Sequence, residues 1–126
     1  SSAASDVYKR QKLYLMGLSN SILIDEGRKQ GLNVASEVFA DRRYENDGQL
    51  VSRKKEGAVI EDSHEAIEQV LQMVKEGTVK TISGEMIDIK ADTICVHGDG
   101  AHALEFVKQI RSHLSEENVD IRTLGG

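Results

Sequence analysis

Apolar and polar positions alternate along this chain in two periods, and the places where the period changes mark the elements. Residues 13–30 carry Leu15, Leu18 and Ile22 on adjacent turns, with Asp25 or Glu26 completing the spacing. Gly31 follows as a stop, which predicts one helix. Residues 32–40 form a mostly apolar run with β-branched and aromatic members, the composition of a buried strand. A loop is expected over 41–61, with turn chemistry at Asn46-Asp47-Gly48 and a small hairpin through Leu50-Val51.

The next helix has the clearest signature. Asp62 is placed as its N-cap and Glu65 as the partner in a capping box. Ile67, Val70, Leu71 and Val74 follow at i, i+3, i+4 and i+7, and Gly77 ends it. Val79-Lys80-Thr81-Ile82 and Met86-Ile87-Asp88-Ile89 read as a hairpin turning at Ser83-Gly84-Glu85. Residues 93–96 predict a short buried strand. A helix is expected from Ala101 to about Glu117 with Ala103, Val107, Ile110 and Leu114 on one face, and a last strand over 119–122. Helices alternating with strands argue parallel α/β architecture, yet two or three core strands are too few to close a sheet. Residues 1–11 continue no period and read as a non-native leader, leaving 12–126 as one partial domain.

Composition narrows the functional classes. Hydrophobic residues at 39% and charged residues at 29% suit a globular chain, and a net charge of −5 supplies no footprint for nucleic acid. Arg53-Lys54-Lys55, the one basic run, is followed by Glu56 and reads as a solvated loop. No apolar stretch reaches the roughly 20 residues that span a bilayer, so no membrane partner is expected and the location is taken as cytoplasmic. The single Cys95 lies in an apolar run, where a free cysteine behaves as a small buried hydrophobe.

Chemistry concentrates at two strand ends. In the first, Glu37 and Asp41 lie four apart and share a face if the strand stays regular, with Arg42 next in line. An unpaired buried Glu37 would be costly, so it needs a cation or a polar interior. Arg42 has the planar fork that grips carboxylates and phosphates, or a local ion pair with Asp41. In the second, His97-Gly98-Asp99-Gly100-Ala101-His102 runs into a helix start. Gly98 and Gly100 let backbone approach a ligand, and the following N–H groups favour an anion. His97 is placed as a general acid or base, or a metal ligand; Asp99 as a proton-transfer group or simply a helix cap. His102 reads as a first-turn surface residue beside them, and His64 and His113 as ordinary helix surface. This spacing does not by itself specify a metal site.

Several separated motifs occur here in a familiar order. Glu37-Val38-Phe39-Ala40-Asp41-Arg42, Tyr44-x-x-Asp47-Gly48-x-Leu50-Val51, Gly57-Ala58-Val59-Ile60 and Cys95-Val96-His97-Gly98-Asp99-Gly100 with His102-Ala103-Leu104 resemble the LamB/YcsF family. Ser52 departs from the family's usual Pro before Arg53. The resemblance implies a partial β/α barrel of the glycoside hydrolase/deacetylase group, its C-terminal half, bearing a small β-hairpin insertion. It implies ATP-dependent opening of 5-oxo-L-proline to L-glutamate, with two partner subunits, B and C. On that reading His97 or Asp99 transfers protons, Arg42 clamps a carboxylate or phosphoryl group with Gly98 and Gly100 beside it, and Glu37 with Asp41 orients water or a cation. Two alternatives stand beside it: a deacetylase-like hydrolase using a divalent metal, and a non-catalytic carrier of a small carboxylate. A half-barrel alone is expected to be inactive and to self-associate through an open strand edge.

Overall fold

In the computed structural model the described residues are 13–97 and 100–125; the leader assigned to residues 1–11, and Gly98 and Asp99, lie outside them. The chain runs β1 (Tyr14–Leu18), α1 (Ile22–Lys29), β2 (Asn33–Phe39), α2 (Ser63–Leu71), β3 (Thr78–Lys80), β4 (Met86–Asp88), β5 (Thr93–Cys95) and α3 (Ala101–Glu116). Strands β1, β2 and β5 form one parallel sheet in that order, and β3 and β4 form an antiparallel hairpin. The alternating α/β reading and the hairpin therefore hold.

The expected helix over 13–30 divides in two. Its first residues are β1, paired in parallel with β2 from Tyr14 opposite Asn33 to Leu18 opposite Glu37. Leu15 and Leu18 match a helical spacing by coincidence, because a strand in a parallel sheet need not alternate. The break is made by Ser19-Asn20-Ser21. Asn20 takes a left-handed backbone with φ 66°, and the Ser21 hydroxyl accepts the Ile24 N–H at 3.3 Å as the N-cap of α1. Gly31 closes α1 as expected, with φ 79° and the Leu32 N–H returned to the Gly27 carbonyl at 3.0 Å. Where α1 crosses the sheet, a Cβ on Gly27 would stand 2.7 Å from Leu15 and 2.9 Å from Val34, so this helix and strand pair pack without room for a methyl group.

Asp62 does cap α2, its carboxylate accepting the His64 N–H at 2.9 Å. Glu65 does not complete a capping box: it pairs with Arg43 at 2.6 Å instead. A π-type turn over Gln72–Glu76 extends α2 until Gly77, at φ 68°, ends it. The strand expected over 119–122 is absent among the described residues. Asn118 adopts φ 61°, and the Val119 N–H is returned to the Leu114 carbonyl at 2.9 Å, a Schellman closure of α3 that uses the donor a strand would need.

Two apolar clusters fill the fold. One packs α2 against α3 through Ala66, Ile67, Val70, Phe106, Ile110 and Leu114. The other seats the hairpin on β2 through Val38, Tyr44, Met73, Val79 and Ile89. Together they hold the carboxyl ends of β2 and β5 as fixed points.

Candidate active site

The ends of β2 and β5 are neighbours because Phe39 lies opposite Cys95 in the sheet. Beyond that pair, Asp41 and His97 line one cleft of about 50 Å³, closed by Ser63 and Ala66 of the α2 start and by His102 and Phe106 of α3. The two strand ends singled out in the sequence are thus brought together. His102 is exposed, as read from the sequence, and lines the same cleft.

Asp41 does not share a regular strand with Glu37. The strand stops at Phe39, and the Asp41 carbonyl accepts the Ile60 N–H at 2.8 Å as the following loop folds back. That loop is tied to the rim by antiparallel bridges between Arg42 and Val59 and between Tyr44 and Leu50. Oδ1 of Asp41 is shielded from solvent and has no hydrogen-bond partner among the described residues.

Glu37 is half-buried in a row across the sheet with Leu18 and Thr93. It faces Cys95: burial first, then the charge of Glu37 and its hydrogen bond, then Asp41, raise the Cys95 thiol above its ordinary value. A thiol held protonated is a poor nucleophile, in keeping with its reading as a small hydrophobe.

Arg42 is placed differently from the expectation of a substrate clamp. It is 8% exposed, its Nη2 donates to the Val51 carbonyl at 2.9 Å, and its Nε is buried without a partner among the described residues. This guanidinium fastens the loop from beneath. Arg53 is exposed, as the solvated-run reading expects, and from that surface position it donates through Nη2 to Nε2 of His97. Its neighbour Lys55 does pair at the surface, with Glu45 at 3.3 Å.

Gly100 stands at the N-cap of α3 with φ 98° and gives the first-turn N–H groups no side-chain cap. Among the described residues no group of three His, Cys, Asp or Glu side chains is arranged to hold a metal ion. None of the described helices is long and apolar enough to cross a membrane. A larger cleft, about 560 Å³, lies between β5, α3 and the C-terminal segment and contains none of the candidate catalytic residues.

Two residues of this site were missed in the sequence, Arg53 and Gln69. The carboxamide of Gln69 donates to the carbonyls of Phe39, Ala40 and Arg42 at 3.3, 3.2 and 3.0 Å. The available signal for Gln69 was a long polar side chain set between Ala66, Ile67 and Val70 on a helix with a buried face, where a donor needs partners.

The chain resembles proteins of known family in both sequence and fold. It is 62% identical over 112 residues to the 5-oxoprolinase A subunit of Staphylococcus haemolyticus, covering 89% of this chain and 45% of that protein. The 5-oxoprolinase A subunit of Staphylococcus carnosus is 61% identical over 114 residues, covering 90% and 45%. Among solved structures, the lactam utilization protein from Thermus thermophilus superposes with a TM-score of 0.80 at 34% identity, covering 95% of this chain and 47% of that one. The chain therefore spans about half the length of the relatives it matches. The sequence profile of the LamB/YcsF family matches residues 2–126, and the chain belongs to that family.

Proposed function

We propose that this chain supplies half of the catalytic rim of a 5-oxoprolinase A subunit, a β/α barrel that opens 5-oxo-L-proline to L-glutamate in the cytoplasm with subunits B and C and ATP. The observation that carries the reading is the convergence of Asp41 and His97, from separate parallel strands, on one cleft. The similarity to the staphylococcal proteins supplies the substrate class.

A lactam resists direct attack because its C–N bond has partial double-bond character. Transfer of the γ-phosphoryl group of ATP to the lactam oxygen makes the ring carbon electrophilic. Water adds there, the C–N bond breaks with a proton delivered to nitrogen, and a second water releases phosphate from the acyl phosphate. The rim residues have to manage protons and hold the attacking water. His97 is suited to the proton delivered to nitrogen, with Asp99 beside it in sequence as the other candidate. Asp41 presents an unpaired acceptor to water, and Glu37 orients from within the sheet. Arg53 is the arginine at the rim, whereas Arg42 secures the loop that carries it. Gly98 and Gly100 would admit the substrate close to the backbone at the α3 start.

The test uses a full-length chimera in which residues 13–126 replace the matching segment of the S. haemolyticus protein. With subunits B and C, 5-oxoproline and ATP, the chimera should release glutamate. His97→Ala should lower kcat by about 100-fold or more. Turnover within about threefold of the parent would favour the carrier reading, and a chimera without ring opening would end the lactamase reading.

A further inference from the structure

Seven backbone groups around Asp41 are hydrogen-bonded while Oδ1 of its carboxylate is not. The Phe39 N–H donates to the Tyr44 hydroxyl at 2.9 Å, the Ala40 N–H to the Cys95 carbonyl at 3.1 Å, and the Arg43 N–H to the Ala58 carbonyl at 2.9 Å. The Asp41 carbonyl takes the Ile60 N–H. The three carbonyls left over, of Phe39, Ala40 and Arg42, all converge on the one Gln69 carboxamide. A carboxamide nitrogen has two hydrogens, so it satisfies three acceptors only by sharing. Its partners fix it at the middle of a tight turn. A strand end at the surface could leave such carbonyls to water, which would cost little and would not fix the turn.

We infer that Gln69 is a positioning residue: it clamps the turn after β2 so that Oδ1 of Asp41 stays in the cleft as an acceptor for the reacting water or substrate. The inference rests on the proposed reading of the cleft. Its physical content is a contrast between neighbours. The backbone groups of the turn named above each have a partner, while two side-chain atoms, Oδ1 of Asp41 and Nε of Arg42, are shielded and have none among the described residues; of the two residues only Asp41 lines the cleft. Burying an acceptor in this way is costly, and the cost is offset when a donor arrives in the cleft. His97 and His102 line the same space, so a water or substrate group held by Asp41 lies within the reach of a proton-transfer group. Gln69 is not among the residues that wall the cleft; it acts through Asp41.

In the chimera, Gln69→Met keeps the side chain's length and removes both donors. It should lower kcat by at least about tenfold with KM for 5-oxoproline within about twofold, since a misplaced group costs rate rather than binding. In an Asp41→Asn background the same change should cost less than about twofold more, because the residue it positions is already disabled. Independent, multiplying losses would overturn the inference. Gln69→Lys retains a donor of similar reach and should stay within about threefold of the parent; a loss equal to that of Gln69→Met in a folded protein would also overturn it. Amide hydrogen exchange separates this question from ring opening. In a chimera with no activity at all, Gln69→Met should still speed exchange at Ala40 and Arg43 by at least about tenfold while leaving Val34 and Ala35 unchanged. Unchanged exchange at Ala40 and Arg43 would remove the clamp.

Discussion

Arg53 and His97, 44 positions apart, meet at the rim with a guanidinium N–H donated to Nε2 of the imidazole. An arginine has no acceptor, so this contact calls for a lone pair on Nε2, which the tautomer carrying its proton on Nδ1 supplies. The contact therefore selects a tautomer as well as a position. Nitrogen-15 shifts of the imidazole in the full-length chimera should show Nε2 unprotonated. Arg53→Met should mix the tautomers and lower kcat by about tenfold, the order expected for losing a charge-assisted hydrogen bond. If that substitution alters neither the shifts nor the rate, His97 does not depend on Arg53.

Tyr44 offers a pH-dependent signature of the same region. It is fully buried, and loss of water pushes its hydroxyl up to about 12 from the usual 10.0, with the Phe39 N–H opposing this. The folded state holds the proton more tightly than the unfolded state, so the native form binds more protons between those values. Stability is then full below about pH 10, falls as pH rises toward 12, and loses about 2–3 kcal/mol from this group. Tyr44→Phe removes the titration and leaves the Phe39 N–H unpaired, costing about 1–3 kcal/mol at neutral pH. Urea unfolding of the chimera and its Tyr44→Phe variant should show the gap closing between about pH 9 and about pH 12. A constant gap would contradict the assignment.

The parts of the fold legible in sequence were those set by neighbours along the chain. Asp62 caps α2 and Gly31 and Gly77 stop helices because each function is satisfied within a few residues. Glu65 shows the limit. Its position in the capping pattern is right, but Arg43, 22 positions away, takes its carboxylate. Strand β1 was hidden because a strand in a parallel sheet has no obligatory alternation, and Leu15 and Leu18 happened to fit a helix. The strand expected over 119–122 failed for the opposite reason: β-forming side chains could not show that the Val119 N–H would be consumed in closing α3.

The site divides along the same line. Asp41 and His97 were visible as strand ends turning from apolar to ionisable residues, and the sheet register brings those ends together. Arg53 and Gln69 were not visible, since what each touches depends on how the loop after β2 folds back and where α2 lies against it. Arg42 had the right chemistry for a clamp, and packing turned it to the Val51 carbonyl.

The last prediction concerns residues 1–126 as an isolated chain. In the three-stranded sheet β1 and β5 are both edges, so each presents unpaired backbone groups on its outer side. Apolar side chains accompany them: Met16 of β1 is 46% exposed, and the 560 Å³ cleft along β5 is walled by Ile94, Val96, Val107 and Ile110. The S. haemolyticus relative has more than half of its length outside the matched region, and we expect that length to cover these edges in a barrel. Left open, they should pair with a second copy. Sedimentation velocity should give a weight-average mass above the 13.9 kDa of one chain that rises with concentration, and the chain should not open 5-oxoproline with subunits B and C. Met16→Lys places a charge beside the β1 edge and should lower the association, as charged edges do in natural sheets. A stable monomer with ring-opening activity would sink the half-barrel argument, because it would show that this sheet needs no further strands to fold or to act.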